Sequence, residues 1–194
     1  KLDEQSTLCP INAYGNSKFA IERILNDLYN SEKDNWNIIN LRYFNPVGCH
    51  ESGLIGENPK GTPNNIFPII LDVINHKTKK FFIFGNDWPT EDGTCVRDYI
   101  HVMDLADAHL AALNYILNSK PQINNINIGT GKGTSVLELV NIFNKLIKSN
   151  LSFEFSSRRK GDTPYVVANN KLAIKILGWR PKRNLIDMCM HSIE

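Results

Sequence analysis

Between positions 36 and 44 the chain carries Ile38, Ile39, Leu41 and Phe44 in near-continuous apolar order. A strand with one wet face alternates, so a run of this kind belongs to a strand covered on both sides, as in parallel sheets flanked by helices. The preceding segment supplies such a helix. Asn12 is placed to cap it, and Ala13, Ala20, Ile21, Ile24, Leu25 and Leu28 fall on one stripe that continues to about residue 29. Strand and helix then alternate to the end. Helices are expected over 66–75, 105–117 with Asp104 as cap, 135–147, from Asn169 to a stop at Gly178, and from about Asn184. Strands are expected over 81–84, 96–101, 125–128 and 151–155. This alternation defines an α/β protein. Residues 45–65, rich in Gly, Pro and Asn, read as a loop of about twenty residues, a length that tends to carry function.

Composition narrows the partners. With 22 basic and 20 acidic residues interspersed, the net charge is +2, which gives no support for a nucleic-acid or membrane partner. The densest basic cluster, Arg158-Arg159-Lys160, is short and reads as a solvated loop. The longest apolar stretch, residues 66–74, is broken by Pro68 and Asp72, so neither a membrane-length nor a signal-like segment is present. Cys9, Cys49, Cys95 and Cys189 are far apart with no Cys-x-x-Cys pair. They read as thiols in a reducing cytoplasm, with no bound metal.

Tyr14 and Lys18 stand four positions apart, on one helix face. An ammonium beside a phenol favours the phenolate, drawing it down from about 10. Such a group can take the proton of an alcohol that loses hydride. Spacing alone leaves the pair open, because Tyr29 and Lys33 share it and read as an exposed helix end. Arg97, in a strand with Val96, Tyr99 and Ile100, is half-buried and needs an anion. Asp98, another carboxylate and a ligand phosphate are all open. Gly129-Thr130-Gly131-Lys132-Gly133-Thr134 lies between strand and helix but lacks the third glycine of the dinucleotide fingerprint and fails the Walker spacing. It reads as a plain turn. His101 and His109 read as structural, and Phe81, Phe82 and Phe84 as core, with Phe84-Gly85 able to border a flat ring.

Taken in order, the segments resemble the UDP-glucose 4-epimerases, a family of extended short-chain dehydrogenases/reductases. The resemblance is carried by Tyr14-Gly15-Asn16-Ser17-Lys18, Leu41-Arg42-Tyr43-Phe44-Asn45-Pro46-Val47-Gly48, Pro63-Asn64-Asn65 and Phe84-Gly85-Asn86-Asp87-Trp88-Pro89-Thr90-Glu91-Asp92-Gly93. It continues in Val96-Arg97-Asp98-Tyr99-Ile100-His101-Val102-Met103-Asp104-Leu105-Ala106, Asn127-Ile128-Gly129-Thr130-Gly131 and Arg158-Arg159-Lys160-Gly161-Asp162.

The resemblance implies the second half of a Rossmann-type parallel sheet (residues 1–48) joined to a smaller α/β substrate-binding domain (49–194), with 94–128 returning to the first. It implies bound NAD and a UDP-hexose, reversible C4 epimerisation through a 4-keto sugar, and a cytoplasmic homodimer. Tyr14 would be the acid/base at the sugar O4, and Lys18 would hold the nicotinamide ribose. Phe44 would touch the cofactor and Asn45 the sugar. Asn65, Ile66, Phe82, Ile83 and Phe84 would line the nucleotide pocket. Arg97 and Arg159 would hold the diphosphate, and Asp162 would accept from the ribose.

The chain begins at Lys1 and lacks the glycine-rich cofactor loop and the Ser/Thr of the family, so no turnover is expected of these residues alone. Lys160 replaces a common acidic residue. Val166 falls where the family sets an aromatic to exclude N-acetylated sugars, or a small residue to admit them. A small residue there implies tolerance of UDP-N-acetylglucosamine. The rival readings are a related nucleotide-sugar dehydratase or decarboxylase and a non-catalytic UDP-sugar-binding fragment. Apolar surface on the helix from Asn12 and the strand after it is expected to drive the isolated chain to self-associate.

Overall fold

The computed structural model describes residues 1–193. In chain order its elements are α1 (Ala13–Ser31), β1 (Asn37–Tyr43), β2 (Asn45–Val47), α2 (Ile66–Ile74), β3 (Phe81–Phe84), β4 (Val96–Arg97), β5 (Tyr99–His101) and α3 (Val102–Leu117). They continue with β6 (Gln122–Ile128), β7 (Thr134–Ser135), α4 (Val136–Ile147), β8 (Phe153–Ser156), β9 (Tyr165–Val166), α5 (Lys171–Leu177) and α6 (Leu185–Ile193). The α/β class read from the sequence is the class observed, and none of the helices among the described residues is long and apolar enough to cross a membrane.

β1 and β6 pair in parallel along their whole length, from Asn37 opposite Gln122 to Tyr43 opposite Ile128. Burial of the apolar residues of this pair under α3 and α5 makes one core: Ile100, Leu105, Ala108, Ile126, Ile128, Ala173 and Trp179, with Ile39 and Leu41 packed against it. At the strand start, the Asn37 side-chain Nδ2 donates to the Ile116 and Ser119 carbonyls, closing the end of α3. α1 is capped as its sequence implies, with Asn12 Oδ1 accepting from the Gly15 amide at 2.8 Å. It lies against β1 and is tied to it by the Arg42–Glu22 pair at 2.5 Å, yet none of its residues is fully buried.

A second core gathers Phe67 and Ile70 of α2, Phe81 and Ile83 of β3, Leu139, Val140 and Phe143 of α4, and Met188 of α6. Phe67 meets Phe143 edge-on at 5.3 Å. β3 pairs in parallel with β8. A capping box starts α4: Ser135 Oγ accepts from the Glu138 amide while Glu138 accepts from the Ser135 amide. Two small sheets lie between the cores. β2 pairs with β5 in parallel, and β4 is the middle strand between antiparallel β7 and parallel β9.

The structure departs from the sequence reading at several places, among them the short strands β7 and β9, which were not expected. The strand expected over 96–101 is two strands in two sheets, broken at Asp98. The loop expected over 45–65 opens with β2. α3 begins earlier than expected, and its cap is His101, whose Nδ1 accepts from the Met103 amide at 3.0 Å. Asp104 is instead wholly buried, taking Arg183 Nη1 at 2.7 Å and the amides of Lys182 and Arg183. β6 starts at Gln122, three residues before the expected strand; its asparagine-rich opening hides its β character.

Candidate functional site

The extended stretch from Cys95 through β4 to the start of β5 organises the site. Cys95, Arg97 and Tyr99 alternate toward one side, whereas Val96 and Asp98 face the other. On the Arg97 side is a pocket of about 140 Å³. Nine of the residues singled out in the sequence line it: Asn45, Asn65, Ile66, Phe82, Ile83, Phe84, Arg97, Arg159 and Asp162. Cys95, Tyr99, Asn64, Ile69 and Val136 also line it and were not foreseen. Period two from Arg97 would have found Cys95 and Tyr99. Asn64, Ile69 and Val136 follow only from how α2 and α4 pack, and carry no local signal.

Each wall has a local cause. Phe82 and Phe84 occupy the open face of β3, while Phe81 and Ile83 point into the core. Gly85, at φ +83°, turns the chain beneath Trp88; a Cβ there would stand 2.4 Å from the indole nitrogen. Arg158 stacks 4.2 Å above the Trp88 ring and pairs with Asp87 at 2.8 Å, which holds that carboxyl below its ordinary value. This brace fixes the loop that carries the next residue, Arg159, over the Phe84 ring at 5.4 Å.

The pocket is cationic. Arg97 Nη1 donates to the carbonyls of Val96 and Thr163, and its Nη2 lies 3.8 Å from Asp162 Oδ1. Arg159 donates to both oxygens of the same carboxylate, from Nε and Nη2, each at 3.2 Å. Two guanidinium groups thus share one carboxylate, leaving excess positive charge for an anion. Burial pushes the Cys95 thiol up, with Arg97 opposing, and burial keeps the Tyr99 phenol protonated. Neither is a nucleophile here.

The neighbouring Asp98 answers one of the open questions about Arg97. Its carboxylate turns away from Arg97 and is fully buried. It accepts from Thr130 N at 2.8 Å, Thr130 Oγ1 at 2.6 Å, Gly131 N at 2.9 Å and Ala168 N at 3.1 Å. The glycine-rich segment after β6 therefore spends its amides on a protein carboxylate and is the plain turn its spacing implied. A Cβ on Gly129 would sit 2.7 Å from Asp98 Oδ2. His101 and His109 are structural: His101 is buried, and His109 Nδ1 bonds the Leu105 carbonyl within α3.

Val166 stands opposite Arg97 in the β4–β9 register, whereas Tyr165 stands opposite Val96. Tyr165 lines a cleft of about 740 Å³ on the reverse side, together with Asp92, Glu138 and Lys145. That cleft is larger than the Arg97 pocket but mixed in charge. Burial drives Asp92 upward there, and hydrogen bonds from Ser135 and Thr94 outweigh it, leaving the carboxyl lowered.

Tyr14, Lys18, Phe44 and Val166 lie outside the pocket lining. Phe44 follows β1 directly and donates its amide to Ile128 O at 3.0 Å, so it sits at the carboxyl end of the parallel pair. α1 leads into β1 through a short link and packs back along it, which brings its first turn to that same end. Open α/β sheets bind ligands at such ends. Tyr14 is 72% exposed, and the Lys18 ammonium lies 5.1 Å from its ring centroid.

A parallel pair with helices around it, followed directly by Asn45 in the wall of an arginine-lined pocket, is an arrangement of the Rossmann type. Residues 1–129 match the NAD dependent epimerase/dehydratase family, and the chain belongs to that family. It is 48% identical over 187 residues to the bifunctional UDP-glucose 4-epimerase and UDP-xylose 4-epimerase 3 of Arabidopsis thaliana, covering 96% of this chain and 53% of that one. The UDP-glucose-4-epimerase of Stenotrophomonas maltophila, solved with NAD and formylated UDP-arabinopyranose, superposes with a TM-score of 0.95 at 42% identity, over 99% of this chain and 56% of that one. The UDP-Glc/GlcNAc 4-epimerase of Campylobacter jejuni gives 0.77 at 36% identity, over 99% and 57%. The chain spans about half the length of the relatives it matches.

Proposed function

We propose that this chain supplies the UDP-sugar pocket and the acid/base pair of an NAD-dependent UDP-hexose 4-epimerase, interconverting UDP-glucose and UDP-galactose. The observation that carries the reading is the convergence of Arg97 and Arg159 on one face of a pocket walled by Phe82, Phe84, Asn45 and Asn65. A diphosphate suits forked cationic donors, and a flat base suits the open rings of β3. Asp162 would accept from the ribose.

The residues at the sheet end fit a dinucleotide. Tyr14 offers an exposed hydroxyl, Lys18 an ammonium with no carboxylate partner among the described residues, and Phe44 an apolar wall. NAD, when bound, would supply a reversible two-electron acceptor for the hydride of the sugar C4. Tyr14 takes the O4 proton as that hydride leaves and gives it back to O4 at the end, so no net proton is consumed. Lys18 holds the cofactor ribose and, by its charge, favours the phenolate during the transfer. Asn45 orients the hexose.

The same reading extends to Val166. Its register beside Arg97, with Tyr165 turned to the reverse side, supports a small side chain next to the sugar and tolerance of an N-acetyl group. The domain reading, 1–48 with 94–128 and then the remainder of 49–194, follows the two apolar cores in part, since α5 and Trp179 from the remainder pack into the core of β1, β6 and α3, and Val47 and Tyr99 pack into the other. We also take the protein to be a cytoplasmic homodimer; exposed Ile24 on α1 and Leu113 and Leu117 on α3 support self-association.

The test is turnover of UDP-galactose by the longest natural form of the protein containing these residues, with calorimetry of UDP on the same sample. Tyr14→Phe should lower kcat by at least about 100-fold, the usual share of a general base, and leave UDP affinity within about twofold. Full activity in that variant, or no UDP binding by the unsubstituted protein, would overturn the reading. UDP-N-acetylglucosamine tested alongside decides the Val166 extension; no turnover ends it.

A further inference from the structure

We propose that the Asp162 carboxylate is a built-in stand-in for the ligand's anion, a specificity-determining group that keeps small free anions off Arg97 and Arg159. This rests on the reading of the pocket as a nucleoside-diphosphate site. Among the described residues, Asp162 is the carboxylate that pairs with either arginine. Its Oδ1 lies 3.8 Å from Arg97 Nη2 and 3.2 Å from Arg159 Nη2, and its Oδ2 accepts from Arg159 Nε at 3.2 Å. The Arg97 and Asp162 side chains are 17% and 16% exposed, so the carboxylate screens the inner guanidinium from solvent.

Asp162 is carried on the same turn as one of its partners. Its amide donates to the Arg159 carbonyl at 3.1 Å, and Gly161 takes φ +92°, a conformation that suits glycine. Rotation of the Asp162 side chain alone would therefore release both guanidinium groups from the carboxylate, with Arg97 Nη1 still on the Val96 and Thr163 carbonyls. The turn also fills the pocket, whose volume of about 140 Å³ is small beside the roughly 300 Å³ at which ligand sites usually begin.

Competition follows from charge. Inorganic phosphate or diphosphate can reach the arginines only by displacing Asp162. It then sits as a multiply charged anion beside a carboxylate, and the two repel. A larger ligand that carries hydroxyl or amide donors next to its diphosphate gives the displaced carboxylate new hydrogen bonds. Selection thus arises from an internal competitor and needs no steric wall.

The test is equilibrium dialysis of labelled inorganic diphosphate, and separately of UDP, against the full chain and its Asp162→Asn variant at fixed low salt. Asparagine keeps the shape and removes the charge. Hydrogen bonds to charged groups are each worth about tenfold or more in binding. Diphosphate should therefore bind the variant at least tenfold tighter, while UDP gains less than threefold or weakens. Unchanged or weaker diphosphate binding by a folded variant overturns the proposal. Asp162→Ser is judged by the same criterion if the asparagine variant fails to fold by circular dichroism. Failure of the unsubstituted chain to bind UDP would count against the nucleotide reading, and the diphosphate comparison would still decide the role of Asp162.

Discussion

Acidification should loosen this protein through His101 before most carboxylates are protonated. The ring is fully buried, and both of its nitrogens are engaged. Nδ1 accepts from the Met103 amide at 3.0 Å and therefore carries no proton, so the proton of the neutral ring sits on Nε2 and is donated to His191 Nδ1 at 3.0 Å. A second proton would expel the Met103 amide and put a cation at the positive end of α3. Burial is the largest cause of the displaced titration, followed by the charges of Arg183 and His191; Asp104 and Asp187 oppose it weakly, and the result is about 4 in place of 6.5.

The sign follows from linkage. The unfolded chain binds this proton below 6.5 and the folded chain only below about 4, so stability is full above 6.5 and is lost as pH falls through that window. At about 1.4 kcal/mol per unit the whole window is worth about 3 kcal/mol, of which about 2 kcal/mol is gone by pH 5. Urea unfolding of the wild-type chain and His101→Gln at pH 7 and pH 5 measures it, because the carboxylate contributions common to both proteins cancel. The wild type should lose about 2 kcal/mol more than the variant between the two pH values. Equal losses would refute the assignment to His101.

Asp98→Asn should destabilise the fold by about 3 kcal/mol, because an amide nitrogen replaces an oxygen among donors that need an acceptor; denaturant midpoints read this, and a loss below about 1 kcal/mol contradicts it. Gly129→Ala should cost about 2 kcal/mol or more, since its new methyl would overlap the Asp98 carboxylate and Ala168; a thermal melt unchanged from wild type would show that the turn yields freely.

How much of this was readable beforehand depended on whether the cause was local. The cap Asn12 and the apolar run of β1 are local, and the structure has them where the residues imply, whereas Phe82 and Phe84, read as core with Phe81, lie on the open face of β3. The pocket residues were found because they sit in ordered motifs that resemble a known family; their spacing alone left Arg97 open between a protein carboxylate and a ligand. Asp98 shows the limit. Nothing in Arg97-Asp98-Tyr99 says that the acid would turn inward to meet Thr130 and Ala168, since those partners arrive from distant parts of the chain. Asp104 misled for the same reason. An aspartate before an apolar helix looks like a cap until Trp179, Lys182 and Arg183 fold over it and claim its oxygens, leaving His101 to do the capping.

Arg97 and Asp98 are consecutive, yet one looks out on the cavity while the other ties together three remote stretches of backbone, at residues 98, 130 and 168. A guest held by the guanidinium therefore bears on the same peptide unit that gathers those stretches, and by binding only the folded chain it adds to its stability. Occupancy and endurance, against a protease for instance, become one property seen from two sides of a single peptide unit.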